Sequence, residues 1–151
     1  MAVDEWSSLA RTGGPRLSLM IFDLDHFKSI NDRHGHPAGD EVLRRIVEAM
    51  ASRAPAGALL ARYGGEEFAC LLPGIDTATA ADVAERMRAA VAAMTVQIPD
   101  GPQDARVSIS AGVASRHLHA PEDRQRLLRD ADIALHQAKD AGRNCVRISA
   151  G

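Results

Sequence analysis

Aromatic residues are scarce in this chain, 3% of 151 residues, while alanine recurs throughout. That imbalance reads as a coding bias and carries no functional meaning. Cysteine is nearly absent too: Cys70 and Cys145 stand far apart, each in a short apolar run. They form neither a zinc-binding spacing nor a disulfide framework. Free cysteine is among the most buried residue types, so both are expected to be buried, reduced and inert. No apolar run approaches the roughly 18 residues of a membrane helix, and no signal peptide is visible. The expectation is a cytoplasmic domain that makes no membrane contact itself, any anchor or sensor lying in a region outside it. A basic excess is missing as well: 18 Lys and Arg face 20 Asp and Glu, for a net charge of -2. Duplex-binding proteins are usually basic, so nucleic acid is not an expected partner. An anionic small ligand stays open, because a few local cations or a metal suffice.

What is present fits one domain over 1–151, long enough to bury a proper core. Leu17 to Phe22 is a near-continuous apolar run, the pattern of a central strand buried on both faces. Asp23-Leu24-Asp25 closes it, and His26 to Asp32 reads as a short helix stopped near Gly35 and Pro37. Asp40 to Met50 is predicted helical, with Val42, Leu43, Ile46, Val47 and Met50 on one face. Ala58 to Ala61 and Phe68 to Leu72 flank Gly64-Gly65, the signature of a hairpin. Asp76 to Met94 is a second long helix. Val96 to Ile98 is a short strand turning through Pro99-Asp100-Gly101-Pro102. Val107, Ile109, Ala111 and Val113 alternate with Ser and Gly, which predicts a half-buried strand. Glu122 to Ala141 is a helix capped by Gly142, and Cys145 to Ile148 is the last strand. At the front, Val3 to Arg11 is a short amphipathic stretch broken by Thr12-Gly13-Gly14-Pro15. This order fits an α/β or α+β sandwich with helices on a central sheet.

Four constellations carry chemistry. Asp23 and Asp25 end a buried strand, where carboxylates are costly unless paired, hydrated or metal-bound. Magnesium favours carboxylate and carbonyl oxygens beside substrate phosphates, and Asp23 with the Leu24 carbonyl offers two. Asp25 alone also reads as a helix cap. Gly64-Gly65 permits a tight turn and close ligand approach, and Glu66 and Glu67, adjacent on a strand, point to opposite faces. His26, Phe27 and Lys28 open a helix whose free amides suit phosphate. Lys139 and Arg143, at the end of the last helix, read equally well as phosphate contacts or as cations offsetting a dipole. Asn31, His36 and Asp40 hold the donors and acceptors that a guanine edge needs, though Asn31 in a turn and Asp40 as an N-cap serve as local alternatives.

Taken in order, these stretches resemble the GGDEF family of diguanylate cyclases. The resemblance runs from about Leu17 to Ile148. It includes Phe22-Asp23-Leu24-Asp25-His26-Phe27-Lys28, Asn31-Asp32, Gly35-His36, Gly39-Asp40, Arg62-Tyr63-Gly64-Gly65-Glu66-Glu67-Phe68, Val107 to Val113, and Ala138-Lys139 with Gly142-Arg143-Asn144. The signature stands here in its GGEEF form. The resemblance implies a cyclase-like palm, a central, mainly antiparallel five-stranded sheet surrounded by helices. It implies Mg2+ or Mn2+ on Asp23, the Leu24 carbonyl and Glu66, with Glu67 as a further contact and Glu66 assisting deprotonation of the 3′-hydroxyl. It implies guanine reading by Asn31 and Asp40 with His36 nearby, and triphosphate contacts from Lys28, Lys139, Arg143 and the amides of His26 and Phe27. The implied reaction joins two GTP into cyclic di-GMP, so two domains must face each other in a homodimer.

Three departures qualify that resemblance. The family's inhibitory Arg-x-x-Asp motif falls on Pro55-Ala56-Gly57-Ala58, without its charges, which predicts no product inhibition through that site. The N-terminal Asp-x-Leu-Thr turn and an upstream sensor are missing, which implies an excised domain of weak activity alone. His136 stands where tyrosine is usual, and nothing accounts for that change. A non-catalytic receptor for GTP or cyclic di-GMP, acting through protein partners, remains the rival reading.

Overall fold

The computed structural model describes residues 16–97 and 104–150. The stretch expected over Val3 to Pro15 and the turn at Pro99 to Pro102 lie outside the described residues. The elements follow the order β1 (Arg16–Leu24), α1 (Phe27–His34), α2 (His36–Ala51), β2 (Leu59–Arg62), β3 (Glu67–Pro73), α3 (Thr77–Ala93), β4 (Thr95–Gln97), β5 (Asp104–Arg106), β6 (Ile109–His117), α4 (Glu122–Asp140) and β7 (Val146–Ile148).

Five strands make one sheet in the order β2-β3-β1-β6-β7. Every pairing is antiparallel except β6 with β7. β1 sits at the centre, and its period-2 side chains divide two cores. Met20, Phe22 and Leu24 face α2 and α3 together with Phe68, Cys70, Leu72 and Ile109. Leu17, Leu19 and Ile21 face α4, against Leu127, Ala131 and Leu135. A three-layer α/β sandwich results, in agreement with the palm expected from the sequence. Among the described residues, no helix is long and apolar enough to cross a membrane.

Three readings need correction. β6 is not half-buried: its first six residues are buried, because α4 covers the face that Ser110 and Gly112 present. α2 begins at His36, not Asp40; Pro37 does not stop a helix there, since proline is tolerated in a first turn where its missing N–H is not needed. The short strand expected at Val96 does form, as β4 of a separate two-stranded ribbon with β5. Cys70 is fully buried, and burial pushes its thiol up to about 12, but Cys145 is only half-buried and its thiol donates to the Ala138 carbonyl (3.4 Å).

Candidate active site

The site forms at one end of the sheet, where β1 finishes and β3 begins. Asp23 is the penultimate residue of β1 and pairs across the sheet with Glu67. Its side chain is on the α4 side and 5% exposed. Lys139, at the end of α4, ion-pairs with Asp23 Oδ2. Asp23 Oδ1 is buried and has no hydrogen-bond partner. Glu66 sits in the turn just before β3, and its carbonyl accepts the Leu24 N–H (3.3 Å). Burial, followed by the charge of Asp23, pushes the Glu66 carboxyl above its ordinary range. Glu66 is therefore not on a strand as expected, and Glu67 shares the Asp23 face; its side chain has no hydrogen-bond partner among the described residues.

Two repelling carboxylates, one with a buried oxygen lacking a donor, are a donor set suited to a hard divalent cation. Among the described residues, no three carboxylates, histidines or cysteines cluster closely enough to close such a site. An ion here would complete its shell with water and substrate phosphate oxygens, the usual habit of magnesium.

Asp25 does not cap α1. Its carboxylate accepts from Ser110 Oγ (2.6 Å), Ser108 Oγ (2.6 Å) and the Asn144 N–H (3.0 Å). These bonds fasten the loop after α4 to the end of β1. Lys139 and Arg143, distant in sequence, thereby join the Asp23 end of the sheet. Arg143 and Asn144 take left-handed backbone, at φ 67 and 47.

His26, also left-handed at φ 59, precedes α1, and no side chain caps that helix. Its first-turn amides keep their donor capacity for an anion.

A cleft of ≈ 430 Å³ opens beside this point, lined by Phe27, Lys28, Asn31, His36, Asp40, Leu43, Arg62, Gly65 and Glu66. Asn31 lies inside α1 and Asp40 one turn into α2, so neither is the cap or turn residue of the local alternative. The structure therefore brings Lys28, Asn31, His36, Asp40 and Glu66 to one cavity.

Two residues that shape this cleft, Arg62 in its wall and Gly39 behind Asn31, were not singled out by sequence reasoning. The Arg62 guanidinium donates through Nε to the Gly64 carbonyl (3.1 Å) and through Nη2 to the Gly65 carbonyl, pinning the turn that carries Glu66. Its signal is an arginine two residues before a glycine pair, with carbonyls in reach. Gly39 lets α2 approach α1: a Cβ there would lie 1.8 Å from Asn31 Oδ1 and 3.3 Å from the Phe27 ring. Its signal is a glycine inside a helix, unfavourable unless something needs the space.

Comparison with known proteins matches residues 2–145 to the family model described as diguanylate cyclase, GGDEF domain. Probable diguanylate cyclase DgcT of Escherichia coli K12 is 44% identical over 132 residues, which cover 86% of this chain and 28% of that protein. This chain thus spans less than a third of that relative's length. The GGDEF domain of DgcB from Caulobacter crescentus, crystallised with c-di-GMP, superposes with a TM-score of 0.86 at 30% identity, covering 98% of this chain and 85% of that one. The active GGEEF domain of a diguanylate cyclase from Vibrio cholerae gives 0.80 at 36% identity, covering 90% and 84%.

Proposed function

This chain belongs to the GGDEF family of diguanylate cyclase domains, and from that membership we propose that it condenses two GTP into cyclic di-GMP with release of two pyrophosphates. The observation that carries the proposal is Asp23 Oδ1, buried without a partner beside the perturbed Glu66 carboxyl. Asp23, Glu66 and the Leu24 carbonyl would hold a divalent ion, Mg2+ or Mn2+, with Glu67 as a further contact. Bound metal would lower the pKa of the attacking 3′-hydroxyl and neutralise charge at the phosphate.

The remaining work is positioning and electrostatics. The Asp40 carboxylate would accept from the guanine N1 and N2 hydrogens while Asn31 reads the same edge, with His36 alongside. Lys28 and the amides of His26 and Phe27 would take the outer phosphates. Lys139 would exchange its ion pair with Asp23 for phosphate, and Arg143 would join it. Glu66 would accept the 3′-hydroxyl proton. Each attack forms one 3′-O–P bond at an α-phosphate and breaks the P–O bond to pyrophosphate; a second attack closes the ring.

The described residues of one chain present one such cleft, so two chains would meet in a twofold dimer. Product formed per chain should therefore rise steeply with chain concentration before levelling. A rate per chain that stays constant across the range where light scattering reports monomer would refute the shared site.

Two further outcomes follow. Gly39→Ala drives its methyl into the Asn31 amide, so KM for GTP is expected to rise about tenfold to hundredfold, the worth of a bidentate base contact, with a smaller change in kcat; steady-state kinetics read the split. Because Pro55 to Ala58 carry no charge, added cyclic di-GMP should inhibit only by competing with GTP, a pattern that initial-rate analysis against GTP separates from inhibition at a distant site.

A further inference from the structure

A larger cavity, ≈ 580 Å³, lies on the other side of α1. His26, just before helix α1, and Ser29, Arg33 and His34 on it line this cavity, while Phe27, Lys28 and Asn31 face the cleft described above. Arg106 from β5 and Asn144 from the loop after α4 close the opposite wall. Asp25, the one acid among the described residues of its lining, has its carboxylate occupied by two serine hydroxyls and the Asn144 N–H. Asn144 Oδ1 is likewise taken, by Arg88 Nη1 (2.8 Å), which leaves its amide nitrogen to donate. Among the described residues, the cavity is thus rich in donors and cations and poor in free carboxylate acceptors. Arg33 and Arg106 make no ion pair with any described residue. Two guanidinium forks favour the planar, multidentate recognition of phosphate. The volume is far more than inorganic phosphate needs and lies in the range of small-molecule sites.

We propose that this cavity is a second ligand site, taking a phosphate-bearing small molecule of nucleotide size, distinct from the substrate cleft. The inference does not rest on the proposed catalytic reading: of the residues given a part in that reading only His26, at the junction of the two cavities, also lines this one, and none of the metal pair or the guanine cleft does.

The test is a titration of the ¹⁵N-labelled chain with AMP, and in parallel with adenosine, without divalent metal. AMP is expected to give saturable amide shifts at Ser29, Arg33, Arg106 and Asn144, and adenosine none. Arg33→Ser with Arg106→Ser should weaken AMP binding at least tenfold, both side chains being exposed and the spectrum itself reporting an intact fold. Lys28→Ser with Lys139→Ser should leave it unchanged. Shifts centred on Phe27, Lys28 and Lys139, equal shifts with adenosine, binding unaffected by the arginine pair, or no binding at all would each overturn the proposal.

Discussion

Glu66→Gln is expected to lower cyclic di-GMP synthesis by about 10²–10⁴-fold, the range for loss of a positioned proton acceptor, without unfolding the chain. Glutamine keeps the shape of the side chain, so the turn pinned by Arg62 stays in place. It removes the carboxylate charge and replaces one of its two oxygens with an NH2 group, leaving a neutral amide that cannot accept the proton and is a poorer metal ligand. The fold should not suffer, and the direction of the Glu66 shift says why. Burial and Asp23 raise this carboxyl, so ionising it costs the metal-free folded chain stability. Stability associated with Glu66 is full below the ordinary glutamate pKa and is lost as pH rises through the raised folded value. The amide imitates the neutral acid, so this loss disappears. Thermal melts of the metal-free variant should match or exceed the parent at pH 8 and converge with it at acid pH. A melt that falls instead would mean that Glu66 supports the fold, and its effect on synthesis would then carry no catalytic meaning.

Gly112→Val should be the most destabilising single change. Gly112 lies in β6 under α4, where an added Cβ would be 2.2 Å from the Ala131 carbonyl oxygen and 2.3 Å from the Leu135 amide nitrogen. Both are backbone atoms inside a helix, so relief requires moving α4 off the sheet. Overpacking of a core commonly costs about 1–3 kcal/mol, and a clash with fixed backbone belongs at or beyond the top of that range. Total stability of such a domain is about 5–15 kcal/mol. A melting temperature lower by at least about 6–12 °C follows, at about 2–4 °C per kcal/mol for this size, or loss of the folded form. Gly112→Ala should fall between the two proteins. Because Leu127, Ala131 and Leu135 share the face that α4 seats on β1, displacing the helix also withdraws Lys139 from Asp23.

The elements most legible in the sequence were those with one simple cause. β1 is a continuous apolar run because both its faces are covered, and the helical spacing over Val42 to Met50 marks the face of α2 turned to the core. β6 misled for a physical reason: serine and glycine look like solvent-facing positions, whereas here Ser110 holds Asp25 and Gly112 admits a helix. The β4–β5 ribbon has too few residues to show a period. Pro37 looked like a stop and proved to be a first-turn residue. Within the site, Asp23 and Glu66 carried local signals, a carboxylate at the end of a buried strand and an acid after a glycine pair. The bond from Lys139 to Asp23 and that from Asn144 to Asp25 cross more than a hundred residues of chain. No local pattern encodes them; the family resemblance placed Lys139 at the triphosphate and gave no partner to Asn144 or Asp25. Arg62 was passed over because its partners are carbonyls, which every residue possesses.

The most direct measurement incubates the chain at high concentration with GTP and Mg2+, then Mn2+, beside the Glu66→Gln variant, and looks for cyclic di-GMP by mass. The account predicts product with at least one of the two ions and its near disappearance in the variant. No product with either ion, even when a dimerising segment is fused ahead of Arg16 and GTP binding is intact, would contradict catalysis and favour a nucleotide receptor instead.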